Sequence, residues 1–183
     1  AATSDTWQAQ MMLVTNIATE ASKNYDFSVI LTSTKDHPHV MVKLTDSTND
    51  NVFYFAQTIA LTANEPVCFW KSNLDGLDIA NVKLVLDFGG NAENSVINIE
   101  NVVLKDHAND DGTEVPETLA IPFDYNDAGN IWKAVDDAKA FTESSWYGDA
   151  GWGTIDVIPV TVHEGSNHII TIPAETPAEE WHA

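Results

Sequence analysis

Hydrophobic and polar positions alternate with a period of two along much of the first half of the chain. In "NYDFSVILTST", Tyr25, Phe27, Val29 and Leu31 share one parity, and Asp26, Ser28 and Thr32 share the other. Side chains of a strand point alternately to its two faces, so this pattern predicts a strand with one face buried and the other partly wet. The same period recurs in "HVMVKLTD" (Val40, Val42, Leu44), "NVFYFAQTIAL", "PVCFWKS", "NVKLVLDFG" (Val82, Leu84, Leu86, Phe88) and "SVINIENVVL". Between these runs lie "DSTNDN", "TANEP", "NLDGLD" and "GGNAEN", rich in the Asn, Asp, Gly and Pro that tight reversals need.

Connections this short favour antiparallel neighbours, because a parallel pair needs a crossover of ~10 or more residues. The expected fold class is therefore all-β, an antiparallel sandwich or barrel. Helix is sparse, and the best candidate is "AVDDAKAFTESS", Ala134 to Ser145. From Asp106 to about Asn130 the alternation stops, and residues 107–130 read as an acidic, Pro-containing connector with a few apolar anchors. It resumes in "IDVIPVTVHEGSNHIITIPAE", after a Gly-rich loop, "SSWYGDAGWG", that carries Trp146, Tyr147 and Trp152. Residues 1–106 thus hold six or so strands, the main part of the sandwich. Residues 131–183 hold three or four, too few to close a core of their own.

A length of 183 residues supports one sizeable core. Charge narrows the partners: 28 acidic against 8 basic residues give a net charge of −20, which repels phosphate backbones and anionic lipid. Nucleic acid is a poor partner, and no apolar run approaches the ~20 residues of a membrane-spanning helix. A neutral ligand or a hard cation remains compatible. Cys68 is the single cysteine, which excludes an intrachain disulfide and a Cys-based zinc site. His37 and His39 in "DHPHV" flank Pro38 without a nearby third ligand and read as a solvated turn.

The runs "TWQAQMMLVTN", "KNYDFSVILTS" and "VKLVLDFGG…SVINIENVVLKD" resemble the second half of a family 4 carbohydrate-binding module, one of the related families 4, 9 and 22. The tail, "GNIWKAVDD…SSWYGDAGWG…NHIITIPAETPAEEWHA", resembles the first half of the same kind of module. In that family the "W-x-A-Q" strand follows the "IITIP" strand; here the junction is cut and the halves are exchanged. A remnant of the shared strand stands at each end, in "TSDTWQAQ" and "TPAEEWHA". The resemblance implies a jelly-roll sandwich, circularly permuted within one chain or strand-exchanged with a second copy as a dimer. A piece straddling two tandem modules would carry the same repeated phrase.

What the resemblance implies for function is non-catalytic binding of a neutral β-linked plant polysaccharide, xylan or β-glucan, in a cleft on one sheet. The attached partner would be a bacterial xylanase or other glycoside hydrolase, and the expected location extracellular, cell-surface or periplasmic. Such a site needs flat apolar faces for sugar rings and polar groups for hydroxyls. Trp7 and Gln10 match the family's stacking platform and hydrogen-bonding position. Lys83 and Asp87 oppose the core parity of Val82, Leu84, Leu86 and Phe88, which places them on the cleft face or on a merely solvated one. Phe53 and Phe55 share a parity and line either the cleft or the core, and Trp146 and Tyr147 are candidates for a rim. Trp152 reads as core.

A jelly-roll glycosidase or lyase is the enzymatic alternative, and it needs two carboxyl groups ~5–9 Å apart. The adjacent pairs Asp110 and Asp111, Asp136 and Asp137, and Glu179 and Glu180 read as solvated charge, and no nucleophile elbow or metalloprotease helix occurs. No cofactor is required. A structural calcium ion is compatible with the family and with "DHANDDG", through Asp106, Asn109, Asp110 and Asp111, although the spacing is not that of an EF-hand.

Overall fold

The computed structural model describes residues 10–88, 95–107, 123–137, 146–148, 160–162 and 168–171. In chain order the strands are β1 (Gln10–Val14), β2 (Asn24–Ser33), β3 (His37–Asp46), β4 (Phe53–Leu61), β5 (Val67–Asp75), β6 (Val82–Asp87) and β7 (Val96–Asp106). A short helix, α1 (Ile131–Asp137), precedes β8 (Trp146–Gly148), β9 (Val160–Val162) and β10 (His168–Thr171).

All pairings between named strands are antiparallel and form two five-stranded sheets. The first has the order β4-β3-β6-β1-β8, the second β5-β2-β7-β10-β9. Most connections switch sheets, as in a jelly roll, while β3–β4 and β9–β10 stay within one. The core lies between the sheets. Val40, Val42, Leu44, Leu84 and Leu86 enter it from the first, and Phe27, Val29, Leu31, Ile97 and Ile99 from the second. Phe27, Phe55 and Phe69 meet at its centre, with Phe27–Phe55 and Phe55–Phe69 centroids 5.2 Å apart.

Three asparagines take positive φ, which their side chains tolerate better than most: Asn64 (62°), Asn73 (56°) and Asn101 (51°). Asn73 and Asn101 lie at register shifts of β5 and β7 against β2, where a bulge supplies the extra residue. Beside the first, Asp26 is fully buried. Its carboxylate accepts from the Ser72 hydroxyl at 2.7 Å, the Asn73 amide at 2.8 Å and His107 Nδ1 at 2.9 Å. The wet face expected for β2 is therefore closed: Asp26 and Ser28 are both buried, because this strand sits between β5 and β7 under a further layer of chain. In that layer Phe123 packs 6.4 Å from Trp70 and beneath the Lys105 ammonium.

His37 corrects a second expectation. It begins β3 and is fully buried, with its ring 6.3 Å from Phe88, whereas His39 is exposed. Pro38 is tolerated there because the register to β4 breaks between His37 and Val40, where the missing N–H leaves no gap in a regular ladder.

Part of the predicted connector is docked. Asn130 accepts from the backbone N–H of Leu104 and of Trp132 through Oδ1, both at 3.1 Å, and donates through Nδ2 to the carbonyls of Val102 (3.2 Å) and Tyr125 (3.0 Å). One side chain thereby caps α1 and stands in for a strand on the edge of β7 beyond β10. Trp132, fully buried, then enters the core. The helix starts three residues before the predicted Ala134 because of this cap, and residues 138–145 of the predicted segment lie outside the described part. In the tail, β8 pairs with β1, and β10 with β7, all within the one chain.

Candidate functional site

The face of the first sheet turned away from the core is read directly from its register. Across β4, β3, β6 and β1, one row is Thr58, Met41, Asp87 and Gln10. The next is Ala56, Lys43, Val85 and Met12, continued by Tyr147 on β8. The third is Phe53, Thr45, Lys83 and Val14. Backbone register alone places Gln10 opposite Asp87 and assigns Tyr147 to the middle row. Trp146 pairs with Leu13, a core residue, so the two candidate rim aromatics occupy rows of opposite parity.

Lys83 and Asp87 share this outer face, and both are buried, with only 5% and 4% exposure. Thr45, Val85 and Met12 beside them are buried as well. At the β4 side Phe53 stands out at 47% exposure, while Phe55 sits in the core at 8%. Equal parity in the sequence does not survive because the register slips: Leu44 pairs with Phe55 and Thr45 with Phe53, leaving Tyr54 as an extra residue. A bulge there turns Phe53 to the outer face. Tyr54 goes inward, where burial pushes its phenol pKa up; its hydroxyl accepts from the Leu77 N–H at 3.2 Å, and its ring meets Tyr25 edge-on at 6.0 Å.

The β3–β4 loop reaches onto this face. Its backbone is fixed by Asp46, whose carboxylate accepts from the Thr48 N–H at 2.6 Å and the Thr48 hydroxyl at 2.7 Å. Those bonds hold the Asp46 carboxyl below its ordinary pKa. Two residues further, Asp50 meets both lysines. Lys83 Nζ lies 2.9 Å from Asp50 Oδ1, and Lys43 Nζ donates to the Asp50 carbonyl at 2.9 Å with Oδ1 3.9 Å away. Lys43 also lies over the Phe53 ring, 5.4 Å from its centroid. The Thr45 hydroxyl ties the loop down by donating to the Val52 carbonyl at 2.9 Å.

These contacts give the face two ends of different chemistry. Lys83 and Asp87 are four residues apart on β6, about 13 Å at strand rise. The Lys83 end combines two ammonium groups, a hydroxyl and an exposed aromatic ring; the Asp87 end combines a carboxylate with Met41 and Thr58. Of these groups the Phe53 ring is exposed and able to stack, while Thr45, Lys83 and Asp87 are buried behind it.

No family model matches this chain, and no curated protein does. Among solved structures the chain is similar to one described as "CBM4 structure and function", at 25% identity and a TM-score of 0.44, over 56% of this chain and 64% of that one. It is also similar to "PbXyn10C CBM APO", at 12% identity and a TM-score of 0.45, over 95% of this chain and 84% of that one. Both are described as CBMs, carbohydrate-binding modules. The chain spans less than two thirds of the first structure's length.

Lys43, Thr45 and Asp50 were not singled out by the sequence. The parity that separates Lys43 from Val42 and Leu44 was available as a signal, but nothing in "DSTNDN" marks Asp50 as the residue that returns to the sheet. Trp7 and Trp152 lie outside the described residues, as do Asn109, Asp110 and Asp111 of the calcium candidate. Asp106, the remaining member, lies 3.8 Å from Lys23. Among the described residues no group of three or more His, Cys, Asp or Glu side chains has the proximity to hold a metal ion.

Proposed function

We propose that this chain is a non-catalytic module that binds a neutral β-linked plant polysaccharide, xylan first, on the outer face of the first sheet. The observation that carries this reading is the exposed Phe53 ring with the Lys43 ammonium 5.4 Å from its centroid, at the edge of a face where Thr45 and Lys83 lie buried and are held by Val52 and Asp50 of the β3–β4 loop. A net charge of −20 suits a neutral chain better than a polyanion. Bound this way, the module would hold an attached glycoside hydrolase at the cell-wall polysaccharide, outside the cell. Even a site of ~10–100 μM, worth roughly 5.5–7 kcal/mol, raises the local substrate concentration of a tethered enzyme.

Isothermal titration with xylohexaose and cellohexaose tests it. Xylohexaose is expected to bind, with affinity falling about tenfold or more in Phe53→Ala, which removes a stacking surface but no core contact. Absence of heat with both sugars contradicts the reading, and tighter binding of cellohexaose moves the specificity to β-glucan.

A further inference from the structure

The two lysines of the candidate face already hold a carboxylate. It belongs to Asp50, whose side chain is 66% exposed, whereas the Lys83 side chain beneath it is 6% exposed and that of Lys43 19%. An exposed acid on a loop thus covers a nearly buried ammonium at 2.9 Å. The contact is asymmetric. Lys83 is fixed near the start of β6, between β3 and β1, while Asp50 is carried by a surface turn and has most of its surface in water.

Taking the proposed sugar-binding role as its basis, we propose that Lys43 and Lys83 form a subsite for a single carboxylate of the ligand, a uronic acid branch on an otherwise neutral polysaccharide, and that Asp50 occupies it until displaced. A sugar carboxylate can take the place of Asp50 Oδ1 as the acceptor for Lys83, with the Lys43 ammonium, which donates to the Asp50 main-chain carbonyl, within 3.9 Å of the same position. The neighbouring Phe53 ring lies beside Lys43, where a backbone sugar would stack while its branch reaches the lysines. Asp87 does not oppose such a charge closely, being about 13 Å along the strand from Lys83. The overall negative charge resists a polymer with an acid on every residue, but one isolated acid meets the local pair of cations before it meets the distant field, which salt screens within about 10 Å.

Asp50 is therefore a competitor built into the site, and removing its charge should help an acidic ligand. The test is titration of the whole chain with xylohexaose and with a xylo-oligosaccharide of the same backbone length carrying one glucuronic acid branch. It uses the unsubstituted protein, Asp50→Asn and Lys43→Met, each first checked for an unchanged circular dichroism spectrum and cooperative melting. The quantity read is the ratio of the two affinities. Asp50→Asn is expected to raise the preference for the branched sugar about tenfold, Lys43→Met to abolish it, and added salt to weaken only the branched sugar's advantage. A ratio unmoved by Asp50→Asn, with xylohexaose still bound, overturns the carboxylate subsite and leaves the polysaccharide reading standing. Failure of both sugars to bind any of the three proteins overturns both.

Discussion

At the scale of single residues, burial sets the chemistry more than residue type does. Cys68 is an example: desolvation pushes its thiol up to about 11. At pH 8 roughly one molecule in a thousand then carries the thiolate, against about a quarter for a thiol at its ordinary pKa. Alkylation of Cys68 by iodoacetamide at pH 8 should accordingly be about a hundredfold slower in the folded protein than in urea, as followed by mass spectrometry. Asp26, fully buried, meets burial with hydrogen bonds instead, to Ser72 and Asn73 of β5 and to His107, the residue that follows β7. Neither environment was legible in the sequence. Alternation correctly separated Asp26 from Tyr25 and Phe27, but period two identifies a face without saying what covers it. Parity also failed at Phe53 and Phe55, where one extra residue in β4 sends two like-spaced aromatics to opposite sides.

Elements are where the sequence was most readable. The parities of β2, β3 and β6 name the residues that meet between the sheets, since Tyr25, Phe27, Val29, Leu31, Val40, Val42, Leu44, Val82, Leu84, Leu86 and, just after β6, Phe88 all join one buried cluster, although Ile30 and Val85 of the other parity are buried as well. Period-two patterning succeeds there because each strand has one side facing the opposite sheet. Residues 123–137 were harder, because Asn130 ties them to β7 through its side chain rather than through a regular strand. Asn130 satisfies a buried amide of β7, a carbonyl of β7 and the first turn of α1 at once. Asn130→Ala leaves those groups buried with no replacement, so chemical denaturation should show a loss of about 2–4 kcal/mol. A loss within about 0.5 kcal/mol would mean that water or a neighbouring strand takes over these bonds.

For the whole molecule, the distribution of tail strands over both sheets is what joins its distant parts. With β8 on β1 and β10 on β7, the described strands of the tail join both sheets. Sequence order gives no hint of which copy a tail strand joins, since a strand's pairing groups are the same in either case. The arrangement within one chain predicts a species of 20.0 kDa by light scattering at micromolar concentration, whereas strand exchange would double that mass. The make-up of the candidate face was only half legible. Lys83 and Asp87 followed from parity, but the loop that brings Asp50 onto Lys43 and Lys83 depends on a tertiary return of the chain.

The face of the first sheet is the centre of the functional account, and backbone amide shifts locate a ligand on it directly. In ¹⁵N-labelled protein titrated with xylohexaose, the perturbed amides are expected to cluster on Met41, Lys43, Phe53, Lys83, Val85 and Asp87. Those of Ser28, Trp70 and Lys105 on the opposite outer face should stay still. Shifts confined to that second face, or spread evenly over both, would rule out binding on the first sheet.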